Sequence, residues 1–190
     1  MTSRLLLVRH GRSAHNHDGS WIDAEAARRF EAAYDAASIR DDDVPPAELV
    51  AVAKNAERFV CSDLTRAIAS VERLAPGREP AISPLLRELW FDLPSWAPRL
   101  PVNVWDVAHY AVWTYRLATR AENSETRRAR DAAVWLESHA LPFNTTIVIT
   151  HGGFRRLLAF ELERSGWKPD GGRRLYHNWS VWGLTKEPTA

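Results

Sequence analysis

At 190 residues, 45% apolar and 26% charged with a formal net charge of +1, the chain has the balance of one globular unit with a sizeable core. That near-neutral charge leaves no electrostatic footprint for nucleic acid or a membrane surface, and no apolar run approaches the roughly 18 residues of a membrane span. The lone Cys61 excludes an internal disulfide framework and suits a reducing compartment.

The expected elements alternate along the chain. An apolar run, Leu5-Leu6-Leu7-Val8, reads as a buried strand over 4–9, followed by a loop with Gly11, Asn16 and Gly19. Residues 24–38 read as a helix with Ala26, Ala27, Phe30, Ala33, Tyr34 and Ala37 on one side. Asp41-Asp42-Asp43 and Pro45-Pro46 mark a turn before a second helix over 46–57. Phe59-Val60-Cys61-Ser62 is a short strand, 64–75 a helix stopped by Pro76-Gly77, and 80–88 a short strand and loop. A Pro- and Trp-rich stretch runs to about 103, then helices at 104–121 and 125–140. A strand at 146–150 leads into a helix at 153–165, and strands around 173–176 and 179–185 close the chain. Strands alternating with helices predict a three-layer α/β/α fold, its central sheet mainly parallel and covered on both faces. With no repeat or linker, residues 1–190 are expected to form a single domain. A first strand starting at Arg4 or Leu5 leaves no room for a signal peptide, so the expected location is cytoplasmic.

Two segments carry the chemistry. Arg9-His10-Gly11 and Thr150-His151-Gly152-Gly153 each follow an apolar strand, where the ligand crevice of an open α/β sheet lies. Ser62-Asp63-Leu64-Thr65-Arg66-Ala67, a strand end turning into a helix, and Leu86-Arg87-Glu88 could feed the same crevice. A phosphoryl dianion calls for planar bidentate donors, which is arginine's geometry, and is favoured by a helix N-terminus. A histidine flanked by arginines is held neutral and nucleophilic by like charge. An alkoxide leaving group needs a proton from a nearby carboxylic acid. Arg9, Arg66, His10, His151 and Glu88 supply these parts. Gly11 and Gly152 fit places where backbone must approach an anion closely.

Taken singly, most of these residues have plainer readings: a core histidine, a solvated arginine, an exposed glutamate. Arg66 in the first turn of a helix opposes the helix dipole unless an anion sits nearby. Glu25, Glu122 and Glu125 are alternatives to Glu88 as the acid. His15 and His17 sit near His10, but the arginines among them argue against a bound cation, so no metal site is assigned. His177 and Asn178 either face the crevice or shape a turn.

In this order and spacing the four blocks resemble the histidine phosphatase superfamily, its phosphoglycerate-mutase-like branch with an Arg-His-Gly motif, over about residues 4–185. The resemblance implies that His10 becomes phosphorylated and that Arg9, Arg66 and His151 bind the phosphoryl group. Asn16, Ser13 and Gly152 would assist, and Glu88 would act as proton donor and then base. It also implies a small helical cap inserted between Glu88 and His151, at about 89–124. That segment holds Trp90, Phe91, Trp96, Trp105, Tyr110, Trp113 and Tyr115, which read either as core packing of cap helices or as a wall against the leaving group. Trp90 and Trp96 are therefore candidate substrate contacts. Arg12, His15 and the segment Asp23-Ala24-Glu25-Ala26-Ala27 depart from the family pattern, which bears on substrate identity.

The resulting expectation is a phosphatase for a small phosphorylated metabolite that needs no metal or cofactor and works through a phosphohistidine at His10. The alternatives are a phosphomutase, disfavoured because only 62 residues lie between Glu88 and His151, or a non-catalytic phospho-ligand binding protein. Exposed tryptophans in the cap would suit a homodimer contact.

Overall fold

The computed structural model describes residues 2–15, 19–89, 95–96, 98–118, 122–140, 144–172 and 174–187. In chain order the elements are β1 (Ser3–Arg9), β2 (Trp21–Ile22), α1 (Ala24–Ala36), α2 (Ala47–Lys54), β3 (Arg58–Ser62), α3 (Thr65–Leu74) and β4 (Ala81–Ser83). A 3-10 turn (Pro84–Leu86) follows, then β5 (Leu100–Pro101), α4 (Val102–Ala118), α5 (Ser124–Ala140), β6 (Thr145–Thr150), α6 (Phe154–Arg164), β7 (Lys168–Pro169) and β8 (Val181–Lys186).

Six strands form one sheet in the order β4-β3-β6-β1-β8-β7. The first four run parallel, while β8 pairs antiparallel with β1 and β7 antiparallel with β8. The continuous apolar run of β1 is explained by burial on both faces. Leu5 and Leu7 pack with Val148 under α5 and α6, through Ala129, Leu136, Leu157 and Leu158. Leu6 and Val8 point the other way, joining Ile147, Ile149 and Phe59 under α2 and α3, through Leu49, Ala67 and Val71. Side chains alternate across a strand, so one apolar sequence serves two cores. The three-layer, mainly parallel architecture expected from sequence is the one observed.

The structure departs from the sequence reading in three places. No strand forms at 174–176, because the carbonyls there are taken by side chains: Leu175 O accepts from Arg155 Nη2 and Trp182 Nε1, both at 2.8 Å, and Tyr176 O accepts from Arg9. The edge place beside β8 goes to the two-residue β7 instead. A second, two-stranded sheet pairs Trp21 with Pro101 and Ile22 with Leu100, joining distant segments that are too short for any periodicity to show. Beside it, Ala24 and Ala27 of α1 pack against Trp105 of α4, whose indole donates to Ile22 O at 3.3 Å.

Candidate active site

The register of the sheet sets the site. In β1 and β6, Arg9 lies opposite Thr150, so the residues that follow, His10 and His151, emerge side by side at the carboxyl ends of two hydrogen-bonded parallel strands. His10 N donates to Thr150 O at 3.0 Å, carrying the pairing one step past the strand. The two imidazole centroids stand 5.0 Å apart with the rings inclined at 57°. Both histidines are buried.

His10 Nδ1 lies 2.6 Å from Gly11 O. A carbonyl only accepts, so Nδ1 carries the ring proton and a neutral ring presents the Nε2 lone pair. Burial first, then the charges of Arg66 and Arg9, lower the His10 pKa from 6.5 to about 3. Burial, followed by His10, Arg66 and Arg9, also holds His151 well below its ordinary value. Both rings are neutral at pH 7, a state that their burial and the cations around them both favour.

Arg66 lies in the first turn of α3 and is completely buried. Its position against the dipole of α3 is resolved by reach: the side chain crosses to the C-terminal end of α1. There Nη1 donates to Tyr34 O at 2.8 Å and to Asp35 Oδ1 at 3.1 Å, and Cζ lies 4.3 Å from the centre of the Tyr34 ring. A cation at the carbonyl end of a helix is the favourable sense. Among the described residues only the Nη1 corner is engaged; Nε and Nη2 are buried without a hydrogen-bond partner there. Arg9 is arranged similarly, with Nη1 donating to Tyr176 O and Nε buried without a partner among the described residues. Among the described residues neither ring nitrogen of His151 has a hydrogen-bond partner. Buried polar atoms are nearly always paired, so this group of unpaired nitrogens, on two guanidinium groups and on the histidine beside His10, fits an oxyanion ligand.

Glu88 reaches the same place by capping a helix. The residue at the start of α6, Gly153, has no side chain to offer, and Glu88 fills the role: Oε1 accepts from Phe154 N at 2.8 Å and from Leu89 N at 2.9 Å, and Oε2 from Gly153 N at 3.3 Å. A Cβ at position 153 would stand 2.9 Å from Glu88 Oε1 and 3.2 Å from Leu89 Cδ1, so a larger residue there would have to shift Glu88 from the helix end. Arg128 of α5 grips the backbone behind Glu88, donating to Leu85 O, Arg87 O and Glu88 O at 2.8–3.1 Å.

Sequence reasoning assigns Gly11 and Gly152 to close approach of an anion, and the structure shows different neighbours. A Cβ on Gly11 would meet Asp43 and Trp179, and one on Gly152 would meet the Arg9 guanidinium at 3.2 Å. Ser13 is buried, its hydroxyl accepting from His15 N at 3.2 Å and its backbone paired with Ile39. His15 packs on Phe30 with centroids 4.7 Å apart. Arg87 is exposed and forms a two-pronged pair with Asp63 at 2.6 and 2.8 Å. Trp96 stands 81% exposed at a turn, so it is no part of the buried cluster. Asn16, His17, Trp90 and Phe91 lie outside the described residues, as do the side chains of Tyr110 and Trp113.

Further residues support the site: Ser70 and Arg155 carry no local signal, whereas sequence offers Asn178 either to the crevice or to a turn. Asn178 Nδ2 donates to His10 O at 2.9 Å and Gly11 O at 3.1 Å, so it shapes the turn. Ser70 Oγ accepts from Gly11 N at 2.9 Å and donates to Arg66 O at 2.6 Å, joining the two motif blocks. Arg155 is buried behind the site, donating to Leu7 O, Ser180 O, Ser180 Oγ and Leu175 O at 2.5–3.3 Å, and burial lowers its pKa to about 9.

Residues 5–187 match the histidine phosphatase superfamily (branch 1). No curated protein sequence matches the chain. Among solved structures, the phosphoserine phosphatase of Entamoeba histolytica in complex with 3-phosphoglyceric acid superposes with a TM-score of 0.58 at 14% identity, covering 95% of this chain and 89% of that one. A mutant of the Entamoeba histolytica enzyme in complex with phosphoserine gives 0.56 at 11% identity over the same shares. A protein described provisionally as an alpha-ribazole-5'-P phosphatase from Escherichia coli gives 0.52 at 22% identity, covering 83% and 78%. Among the described residues no helix is long and apolar enough to cross a membrane. With nearly the whole length matched, the chain belongs to the histidine phosphatase superfamily, branch 1.

Proposed function

We propose that the protein hydrolyses a small phosphorylated metabolite through a phosphohistidine at His10, without a metal ion. The observation that carries this reading is the neutral, buried His10–His151 pair at 5.0 Å, with unpartnered nitrogens of Arg9, Arg66 and His151 beside it. A cation would be repelled by the two guanidinium groups; a phosphoryl group is drawn to them.

In the proposed reaction the Nε2 lone pair of His10 attacks phosphorus as the bond to the ester oxygen breaks. The Nδ1–H bond to Gly11 O keeps the ring in the tautomer that has that lone pair. Arg9, Arg66 and His151 stabilise the charge spread over the equatorial oxygens. Glu88, in its carboxylic acid form, gives its proton to the departing oxygen. Water then attacks the phosphohistidine, Glu88 takes a proton back, and the P–N bond breaks to release phosphate and neutral His10. Its bonds to Gly153 N and Phe154 N tie Glu88 to the backbone just after His151, which supports the role.

The test is turnover of para-nitrophenyl phosphate in the presence of a chelator, with the phosphoenzyme trapped at alkaline pH and located by mass spectrometry. The wild type is expected to turn over and to carry the label on His10, with His10→Ala inactive. Appreciable turnover by His10→Ala overturns the assignment. Following free phosphate against isomer formation with a product acceptor separates hydrolysis from mutase chemistry.

A further inference from the structure

Helix α1 lies outside the four motif blocks, yet its last turn holds the central cation of the site. Tyr34 supplies a carbonyl to Arg66 Nη1 at 2.8 Å and a ring face 4.3 Å from Arg66 Cζ, and Asp35 supplies a carboxylate oxygen at 3.1 Å. A fully buried guanidinium needs such compensation, since a lone cation out of water is strongly disfavoured. Placement of these contacts matters more than their number. Among the described residues the polar ones fall on Nη1, so the opposite edge, Nε with Nη2, keeps two parallel N–H groups without a partner there. That edge presents the side-on fork that binds two oxygens of a phosphate at once. Phe30 stacks on Tyr34 one turn earlier, at 6.0 Å and 19°, and fixes the ring against α1. Burial raises the pKa of the Tyr34 hydroxyl, and the charge of Arg66 beside it works the other way.

We propose that Tyr34 and Asp35 are positioning residues for phosphoryl binding: they clamp Arg66 by one corner so that its Nε–Nη2 edge faces the anion. The inference rests on the phosphatase reading above and adds to it a dependence on α1, a helix that also packs through Ala24 and Ala27 on Trp105 of α4. Docking of α1 and the affinity of the site for anions are then one property.

The experiment measures competitive inhibition by inorganic phosphate and by orthovanadate, with para-nitrophenyl phosphate as substrate and the melting temperature recorded for each variant. Tyr34→Leu removes the ring and is expected to raise both inhibition constants about tenfold, the size of a desolvated cation–π contact. Tyr34→Phe keeps the ring and should stay within about threefold of wild type, a rescue that general loosening of the fold would not give. Asp35→Asn, at a partly exposed position, should weaken both about threefold. Wild-type inhibition constants in both Tyr34→Leu and Asp35→Asn, with His10→Ala inactive, overturn the clamp and leave the phosphatase reading standing. A wild type that phosphate does not inhibit, together with an active His10→Ala, removes the phosphatase reading and the clamp with it. If Tyr34→Leu does not fold, Asp35→Asn and Tyr34→Phe decide between these outcomes.

Discussion

Trp179 packs against the α-carbon of Gly11 so closely that a methyl group there would stand 2.7 Å from the indole and 2.5 Å from Asp43 Oδ2. The indole donates to Asp43 Oδ2 at 2.7 Å, and Asp43 also accepts from Arg12 N and Nε at 2.6 and 2.7 Å. Trp179 holds a φ of 61°, a left-handed conformation unusual for a bulky residue and kept here by these contacts. Gly11→Ala is therefore expected to destabilise the protein by about 1–3 kcal/mol in urea unfolding, since neither the indole nor the buried carboxylate can yield cheaply. It should also displace His10 and cut turnover at least about tenfold. Unchanged unfolding would show that the loop has room to relax.

Glu88→Gln separates two duties of one side chain. Glutamine retains an acceptor for the N-terminus of α6 but cannot deliver a proton. Turnover of alkyl phosphates should fall about 10²–10⁴-fold. Para-nitrophenyl phosphate, whose leaving group departs as a stable anion, should lose much less. Equal losses on both substrates would mean that the residue serves only to cap the helix.

Asn178→Ala deletes the donor to His10 O and Gly11 O. The cost expected in urea unfolding is about 1–3 kcal/mol, because two carbonyls lose a partner. A fall in turnover rate with little change in KM would follow from a His10 that is present but loosely aimed. The check is steady-state kinetics beside the unfolding curve.

The depressed pKa values of the two histidines predict an acid-sensitive fold. His10 titrates at about 3 in the folded protein against 6.5 unfolded, and His151 is also lowered. Between those values the unfolded chain binds more protons, so stability is intact above pH 6.5 and declines as pH falls toward 3. Urea midpoints at pH 7 and pH 5 should differ more for wild type than for His10→Gln. The same shift means that His10 itself stays unprotonated down to about pH 4, so any acid limb in turnover above that pH must come from another group.

How legible the chain is depends on whether a residue's reason lies nearby in sequence. The runs in β1 and β6 read plainly as strands because burial on both faces leaves no polar gap in them, and the histidines follow at once. Arg66 is visible through its block, and its conflict with the α3 dipole flags it. What local reading misses is held by distant partners. Asp43 sits in a run of three aspartates that looks like a turn, yet it is buried by Trp179, 136 residues away. For Asn178 the sequence leaves crevice and turn open, and the choice is made by a loop 167 and 168 residues before it. Tyr34 falls on the apolar side of a helix, and nothing in that periodicity can show that its carbonyl and ring face a guanidinium from α3. Leu175 and Tyr176 have strand-like side chains, but their carbonyls are claimed by arginines and an indole. Hydrophobic pattern reports which face is dry; it does not report who receives a backbone hydrogen bond.

The ladder that matches Arg9 to Thr150 works as a carpenter's level for the imidazoles that follow. The spacing of the rings is thereby inherited from the rigid interior, and the turn held by Asn178 and Trp179 has only to aim what the strands deliver. A change in the segments that lie over the strand ends can then alter what stands opposite the imidazoles while the height of the rings stays where the ladder sets it.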